Sequence, residues 1–155
     1  EICSAPGGKT CQLWARGFEV TAVEKSERRG TLLKKNLERV AGKNYNSSVS
    51  VVIGDGYKGE AGVYDAALVD APCTATGTGR RNPDVMMFGC GEGRKKRDAK
   101  VLEECVETQR RLFREAANAV KSGGCVVFAT CSMLKEEGEE QVRWILEEWG
   151  AGKGK

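Results

Sequence analysis

No histidine occurs anywhere in the 155-residue chain. That absence removes every mechanism in which imidazole activates a serine or a cysteine, and with it most metal sites. Any nucleophile here must be activated by other means. Apolar runs are short: none approaches the ~18 residues of a membrane span, and the first residues lack the charged-then-apolar pattern of a secretory signal. Proline occurs only three times and aromatic residues make up 6% of the chain. The seven cysteines include no Cys-x-x-Cys pair, which argues against a zinc site and a disulfide framework alike. Reduced thiols in a cytoplasmic, monomeric, metal-free protein are the expectation.

What is present is a chain of ordinary globular composition, 40% hydrophobic and 30% charged, with a net charge of +3. Its length suits a single domain over residues 1–155. Glu1-Ile2-Cys3 read as the end of a strand, and the chain closes on a small polar tail from Gly150 onward. Both ends are expected to be those of a fragment, with sheet edges left uncovered and low stability in consequence.

Apolar patterning alternates along the chain. A glycine-rich turn over residues 4–9 leads into a short helix at 10–16, stopped by Gly17. Residues 18–23 are β-branched and end at Glu24, a strand signature. Leu33, Leu37, Val40 and Ala41 recur at helical spacing over 26–41, with Gly42 as terminator. Short apolar runs follow at 49–53 and 66–69. The longest helix is expected over 101–120, with Val101, Cys105, Leu112, Ala116 and Val120 along one side and Gly123-Gly124 breaking it. A fifth strand is read at 125–129. Val142, Ile145, Leu146 and Trp149 mark a last amphipathic helix. Strands separated by helices imply an α/β fold with a parallel sheet and helices on both faces. In such sheets ligands bind beyond the carboxyl ends of the strands. Glu24, Asp55, Asp70, Cys73 and Cys131 all fall there.

The first loop, Cys3-Ser4-Ala5-Pro6-Gly7-Gly8-Lys9-Thr10, ends like a phosphate-binding loop, but Cys3 stands where that motif needs glycine. A nucleotidase is therefore the weakest reading. A tight glycine turn remains, at which a ligand can approach the backbone; the plain alternative is a strand-to-helix connection. Glu24, near the second strand's end, is placed to bond a ribose diol, and Asp55 to accept from an adenine amino group. Each carboxylate by itself also reads as a solvated loop residue. Together they favour an adenosine-containing ligand. Asp70-Ala71-Pro72-Cys73 and Thr130-Cys131-Ser132 put two thiols at neighbouring strand ends, although a cysteine is equally at home as a small buried hydrophobe. A thiolate there needs a nearby cation, such as Lys9 or Arg80, or activation by substrate.

Three stretches together carry a resemblance: residues 3–10, residues 70–84 (Asp-Ala-Pro-Cys-Thr-Ala-Thr-Gly-Thr-Gly-Arg-Arg-Asn-Pro-Asp) and residues 129–132 (Ala-Thr-Cys-Ser). In content, order and spacing they resemble the signature motifs of Nop/Sun-type RNA (cytosine-5)-methyltransferases, most nearly the bacterial branch acting on small-subunit ribosomal RNA. The resemblance implies a Rossmann-like class I fold and S-adenosylmethionine as cofactor. It puts the cofactor loop on Cys3, Ser4, Ala5, Pro6, Gly7, Gly8 and Lys9, the ribose acid on Glu24 and the adenine-side acid on Asp55. Asp70 is implied at the methionine end of the cofactor or on the cytosine ring. Cys131 is the implied nucleophile and Cys73 the implied helper in product release. Two departures stand out: the ribose position more often holds aspartate, and Met133 to Glu139 lacks the usual Glu-Asn-Glu.

RNA is the implied partner, with Lys9, Arg80 and Arg81 as contacts. Residues 80–100 hold seven basic side chains (Arg80, Arg81, Arg94, Lys95, Lys96, Arg97, Lys100) against three acidic ones (Asp84, Glu92, Asp98), so 7 − 3 = +4. That balance suits phosphate, or a solvated basic loop with a flexible stretch at 89–93. Two other readings stay open. One is a DNA cytosine methyltransferase with Cys73 as nucleophile, the other an inactive fragment that binds cofactor or RNA.

Overall fold

The computed structural model describes residues 1–88 and 92–149. The chain divides into two compact units, Glu1–Asp70 with Glu115–Val127, and Ala71–Arg114 with Phe128–Lys155.

The first unit is built on a sheet. Strand β1 (Val20–Glu24) pairs in parallel with β2 (Val49–Ile53), in register from Val20 against Val49 to Glu24 against Ile53. Ile2 bridges Val23 on one side and Val69 on the other, parallel to both. Val69 belongs to β3 (Tyr64–Asp70), which pairs with β4 (Val120–Ala129). The strand order is therefore β2-β1-Ile2-β3-β4, with Ile2 in the middle. The chain turns first to one side of Ile2 and then to the other, so the order reverses there. Such a reversal opens a crevice at the strands' carboxyl ends, as in Rossmann-like sheets.

Helix α1 (Gly8–Ala15) begins two residues earlier than its apolar pattern predicts, because Gly7 in the left-handed region already starts the turn. Helix α2 (Glu27–Ala41) is capped by Ser26, whose hydroxyl accepts from the Arg29 N–H. Leu33 and Leu37 are fully buried, joining Ala5, Val20, Ala22, Tyr45 and Val49 in one core. Val40, expected on that stripe, is half exposed.

Helix α3 (Glu92–Ala119) starts nine residues before the expected position and ends one residue short of Val120, which opens β4 instead. The glycine pair does not break a helix. Gly124 lies inside β4, where an added Cβ would come within 2.6 Å of the Asp65 carbonyl oxygen. Its role is close approach of two backbones, a common reason for glycine in a strand.

In the second unit, α3 meets helix α4 (Glu139–Trp149). Phe113 contacts Phe128, Trp144 and Trp149 edge-on, with ring centroids 5.3–6.3 Å apart, a geometry aromatic pairs favour. The guanidinium groups of Arg110 and Arg114 lie 5.2 and 4.9 Å from the Trp144 ring centre. Leu112 is buried as expected. The predicted stripe of α4 is wrong in part: Val142 and Leu146 are exposed, and the buried position is Gln141. A polar network, described below, takes the place of that stripe. Three 3₁₀ turns, Thr76–Thr78, Pro83–Met87 and Lys135–Glu137, complete the described part of the unit.

Among the described residues no helix is long and apolar enough to cross a membrane. None of their cysteine and acidic side chains cluster as a metal site would need.

Candidate active site

In the first unit the motif loop leaves the sheet at Ile2 and enters α1. Cys3 takes a left-handed φ of 62°, Gly7 one of 101°, and the Ala5–Pro6 bond is cis. An added Cβ on Gly7 would lie 2.5 Å from Leu33 Cδ1, so the turn sits hard against α2. Gly8 is the opposite case: it is exposed and nothing would lie within 4 Å of its Cβ. The loop thus has a packed side at Gly7 and an open side at Gly8.

Ser4 is buried, and its hydroxyl points back to the sheet, 2.9 Å from the Glu1 carbonyl oxygen and 3.0 Å from that of Val23. It holds the loop down, so its contribution to a ligand site is indirect. Glu24 does the same from β1. Its side chain is 3% exposed; Oε2 accepts from the Ala5 N–H at 3.2 Å and Oε1 from the Ser26 N–H at 3.0 Å. Arg29, 3.9 Å from Glu24, also donates to the Ala5 carbonyl. Sequence reasoning missed Arg29; its i+3 position after the Ser26 cap is the only local signal. Asn36 Nδ2 donates to the Pro6 carbonyl at 2.8 Å.

Asp55, at the end of β2, accepts from Lys25 Nζ at 3.0 Å, with both side chains well exposed. Asp70, at the end of β3, accepts from Lys9 Nζ at 2.6 Å; these side chains are 37% and 45% exposed. Three carboxylates therefore lie at the ends of three strands, and Asp55 and Asp70 each hold a lysine. One cavity of this unit, about 420 Å³, is mainly apolar, and none of these carboxylates or loop residues 3–9 lines it. Its walls include Ile2, Val20, Tyr64, Leu68, Ala116 and Val127. The three carboxylates lie at the strand ends, outside that cavity.

In the second unit the two thiols meet. Cys73 Sγ lies 3.0 Å from Cys131 Sγ, and Cys131 is exposed. The loops carrying them are stitched together: Gly77 donates to the Cys131 carbonyl at 2.9 Å, and Ala71 to that of Ala129 at 3.0 Å. Beside Cys73 opens a cavity of about 290 Å³, with Thr74, Asp84, Val85 and Phe88 in its wall. The Cys105 thiol is pushed up to about 11 by burial first and by Glu137 second. It stays protonated near neutrality and is no rival nucleophile.

Arg80 and Arg81 follow the first 3₁₀ turn and are exposed. Residues 89–91 and the side chains of Arg94, Lys95, Lys96 and Arg97 lie outside the described residues. The structure also reveals a group the sequence reading passed over. Glu137 is fully buried under the Cys73 loop, with Gln109 and Gln141 beside it. The only hint was its place in the stretch where the Glu-Asn-Glu pattern fails.

Comparison with known proteins gives the family. A family model described as 16S rRNA methyltransferase RsmB/F matches residues 1–151. The chain is 36% identical over 152 residues to the ribosomal RNA small subunit methyltransferase B of Sodalis glossinidius, and 38% identical over 152 residues to that of Pectobacterium atrosepticum. Each comparison covers 94% of this chain and 32% of the relative, so the chain spans about a third of their length. Among solved structures it resembles PH0851 (TM-score 0.74, 31% identity, 94% of this chain and 32% of that one). It also resembles NSun6 from Pyrococcus horikoshii with SFG (TM-score 0.71, 27% identity, 95% of this chain and 36% of that one).

Proposed function

Because the chain belongs to the 16S rRNA methyltransferase RsmB/F family, we propose that it is the catalytic core of an enzyme that methylates carbon 5 of cytosine in ribosomal RNA. S-adenosylmethionine is the methyl donor in this reading, and Cys131 is the nucleophile. The observation that carries it is the exposed Cys131 thiol, 3.0 Å from the thiol of Cys73.

The cofactor suits the donor set of the first unit. Its adenine amino group and cationic methionine end call for acceptors, which Asp55 and Asp70 supply as exposed carboxylates after β2 and β3, while buried Glu24 holds the loop beside the ribose position. Open backbone at Gly8 leaves room for close approach. When bound, it offers an electrophilic methyl group.

Cytosine carbon 5 is a poor nucleophile by itself. Addition of the Cys131 thiolate to carbon 6 places electron density on carbon 5, which splits one hard step into two easier ones. Asp70, bridged through a proton to ring nitrogen 3, neutralises charge developing on the ring, and Lys9, 2.6 Å away, orients its carboxyl group. After methyl transfer a base removes the carbon 5 proton, the bond from Cys131 to carbon 6 breaks, and the thiolate leaves. Cys73 assists that release. Arg80 and Arg81 contact phosphate. If the target base is stacked, extruding it costs roughly a few kcal/mol.

The test is a substitution pair in the full-length enzyme, assayed with tritiated S-adenosylmethionine and ribosomal RNA. Cys131→Ala is expected to abolish transfer. Cys73→Ala is expected to leave RNA covalently attached to the protein. The reverse pattern would move the nucleophile to Cys73 and favour DNA-type chemistry. Binding of cofactor without transfer by the full-length enzyme would leave only a binding fragment.

A further inference from the structure

Glu137 is fully buried, yet it carries a carboxylate. Its described donors are all neutral. Oε1 accepts from Gln109 Nε2 at 2.8 Å, both oxygens accept from the Thr74 N–H at 3.1 and 3.3 Å, and Oε2 accepts from the Thr74 hydroxyl. Burying a charge without a cation beside it is unfavourable unless every lone pair is met by a donor. Such an arrangement is expensive scaffolding, so it calls for a purpose beyond filling space.

The purpose follows from what these bonds grip. Gln109 Nε2 also donates to the Pro72 carbonyl at 3.0 Å. The residue before Cys73 is thus held by Gln109 and the residue after it by Glu137, while Glu137 and Gln109 hold each other. Gln109 in turn accepts from Gln141 Nε2 at 2.8 Å, and Gln141 accepts from Arg110 at 3.1 Å. Cys73 is clamped from both sides.

The carboxylate also sets a direction. An ionised carboxylate can only accept, so the Thr74 hydroxyl spends its proton on Glu137. The 3.1 Å contact between the Thr74 and Ser132 hydroxyls must then run from Ser132 to Thr74. With its own proton so committed, Ser132 accepts from Thr76, 3.0 Å away, and from the Leu134 N–H. Thr76 accepts from the Met133 N–H at 2.9 Å. One buried charge thereby orders a chain of hydroxyls that ties the Cys73 loop to the residue following Cys131.

We infer that Glu137 is a positioning residue: its charge fixes the Thr74 backbone and the Thr74–Ser132–Thr76 hydroxyl chain, and so holds the Cys73 thiol against that of Cys131. The consequence for release of the methylated base rests on the function proposed above. The thiol geometry does not.

Glu137→Gln keeps the shape but turns one acceptor into a donor facing Thr74 or Gln109. Two readouts in the full-length enzyme test the inference. The first is oxidation by diamide, in which two thiols give up two hydrogens to the azo bond and form a disulfide, leaving a hydrazine. Peptide mapping follows the Cys73–Cys131 disulfide. Unsubstituted enzyme is expected to form it fastest among its cysteine pairs, and Glu137→Gln to form it at least tenfold more slowly. The second is turnover on ordinary RNA, where Glu137→Gln is expected to accumulate covalent RNA at Cys131, as Cys73→Ala does, and the double variant no more than Cys73→Ala alone. Thr74→Val, which removes the hydroxyl and keeps the backbone N–H, is expected to act in the same direction and serves if Glu137→Gln does not fold.

Unchanged disulfide formation in a folded variant would overturn the positioning role. So would equal loss of adduct formation and turnover with no stalled adduct. If unsubstituted enzyme forms the disulfide but never an RNA adduct, the proposed function fails while the clamp stands.

Discussion

The two glycines at the head of α1 are neighbours in sequence, and the structure gives them opposite tasks. Gly7 has φ 101°, and a Cβ there would meet Leu33 Cδ1 at 2.5 Å. Leu33 is fully buried and has nowhere to swing. Alanine at position 7 incurs about 1–2 kcal/mol for the left-handed conformation and about 1–3 for overpacking, so about 2–5 kcal/mol together. For a chain of this size that is a fall in Tm of roughly 4–20 °C. Gly8→Ala meets nothing within 4 Å and sits in a helix, so its effect on stability is expected within about 1 kcal/mol, on the stabilising side. Its effect on ligand is different: a methyl group on the open side blocks close approach of S-adenosylmethionine, and affinity is expected to drop about tenfold or more, about 1.4 kcal/mol. Thermal unfolding and calorimetric titration of both variants separate these effects. A destabilising Gly8→Ala with a neutral Gly7→Ala would refute the loop geometry. A stable Gly8→Ala that binds the cofactor like the parent would refute the assignment of the open side to a ligand.

Other outcomes follow from the same site. Glu24→Gln turns one acceptor of the loop-holding carboxylate into a donor facing the Ala5 or Ser26 N–H, and is expected to lower stability by about 1–3 kcal/mol and to weaken cofactor binding, by denaturant titration and calorimetry. Lys9→Met breaks an ion pair whose side chains are both more than a third exposed. Stability is expected to change by less than about 1 kcal/mol, and methyl transfer to fall roughly 10²-fold or more, so a large Tm shift would contradict the functional role given to that pair. Cys105, with its thiol held up to about 11, is expected to resist alkylation by iodoacetamide well above pH 9, measured by peptide mass spectrometry. Because the folded value is raised, the folded chain keeps its proton where the unfolded chain loses it. The resulting stability is full below the ordinary thiol value and is lost as pH climbs from there to about 11.

The strand ends and the three motifs were readable because their signals are local. β-branched runs, glycine turns and acids after apolar stretches name themselves in a window of a few residues. Ile2 and its bridges to Val23 and Val69 bear out the reading of Glu1-Ile2-Cys3 as strand. The start of α3 was missed because Gly93 and a run of charges carry no apolar periodicity, and the helix is stabilised from elsewhere. Gly123-Gly124 misled for a related reason: glycine marks both helix ends and close strand approach, and only the Asp65 carbonyl decides between them. On α4, apolar Val142 and Leu146 face solvent while Gln141 is buried. The partners of Gln141 are Gln109, Arg110 and the Val106 carbonyl, about thirty residues distant in sequence. Nothing local announces such a network. The same holds for Glu137, whose significance lies wholly in what it grips.

The central claim is tested most directly by one measurement on the full-length enzyme. Incubated with S-adenosylmethionine and ribosomal RNA carrying 5-fluorocytosine, which cannot give up a proton at carbon 5, the enzyme should stall as a covalent complex. Nuclease and protease digestion followed by mass spectrometry should then find the nucleotide on Cys131. A nucleotide attached to Cys73, or no attachment under conditions that support methyl transfer to ordinary RNA, would contradict the account.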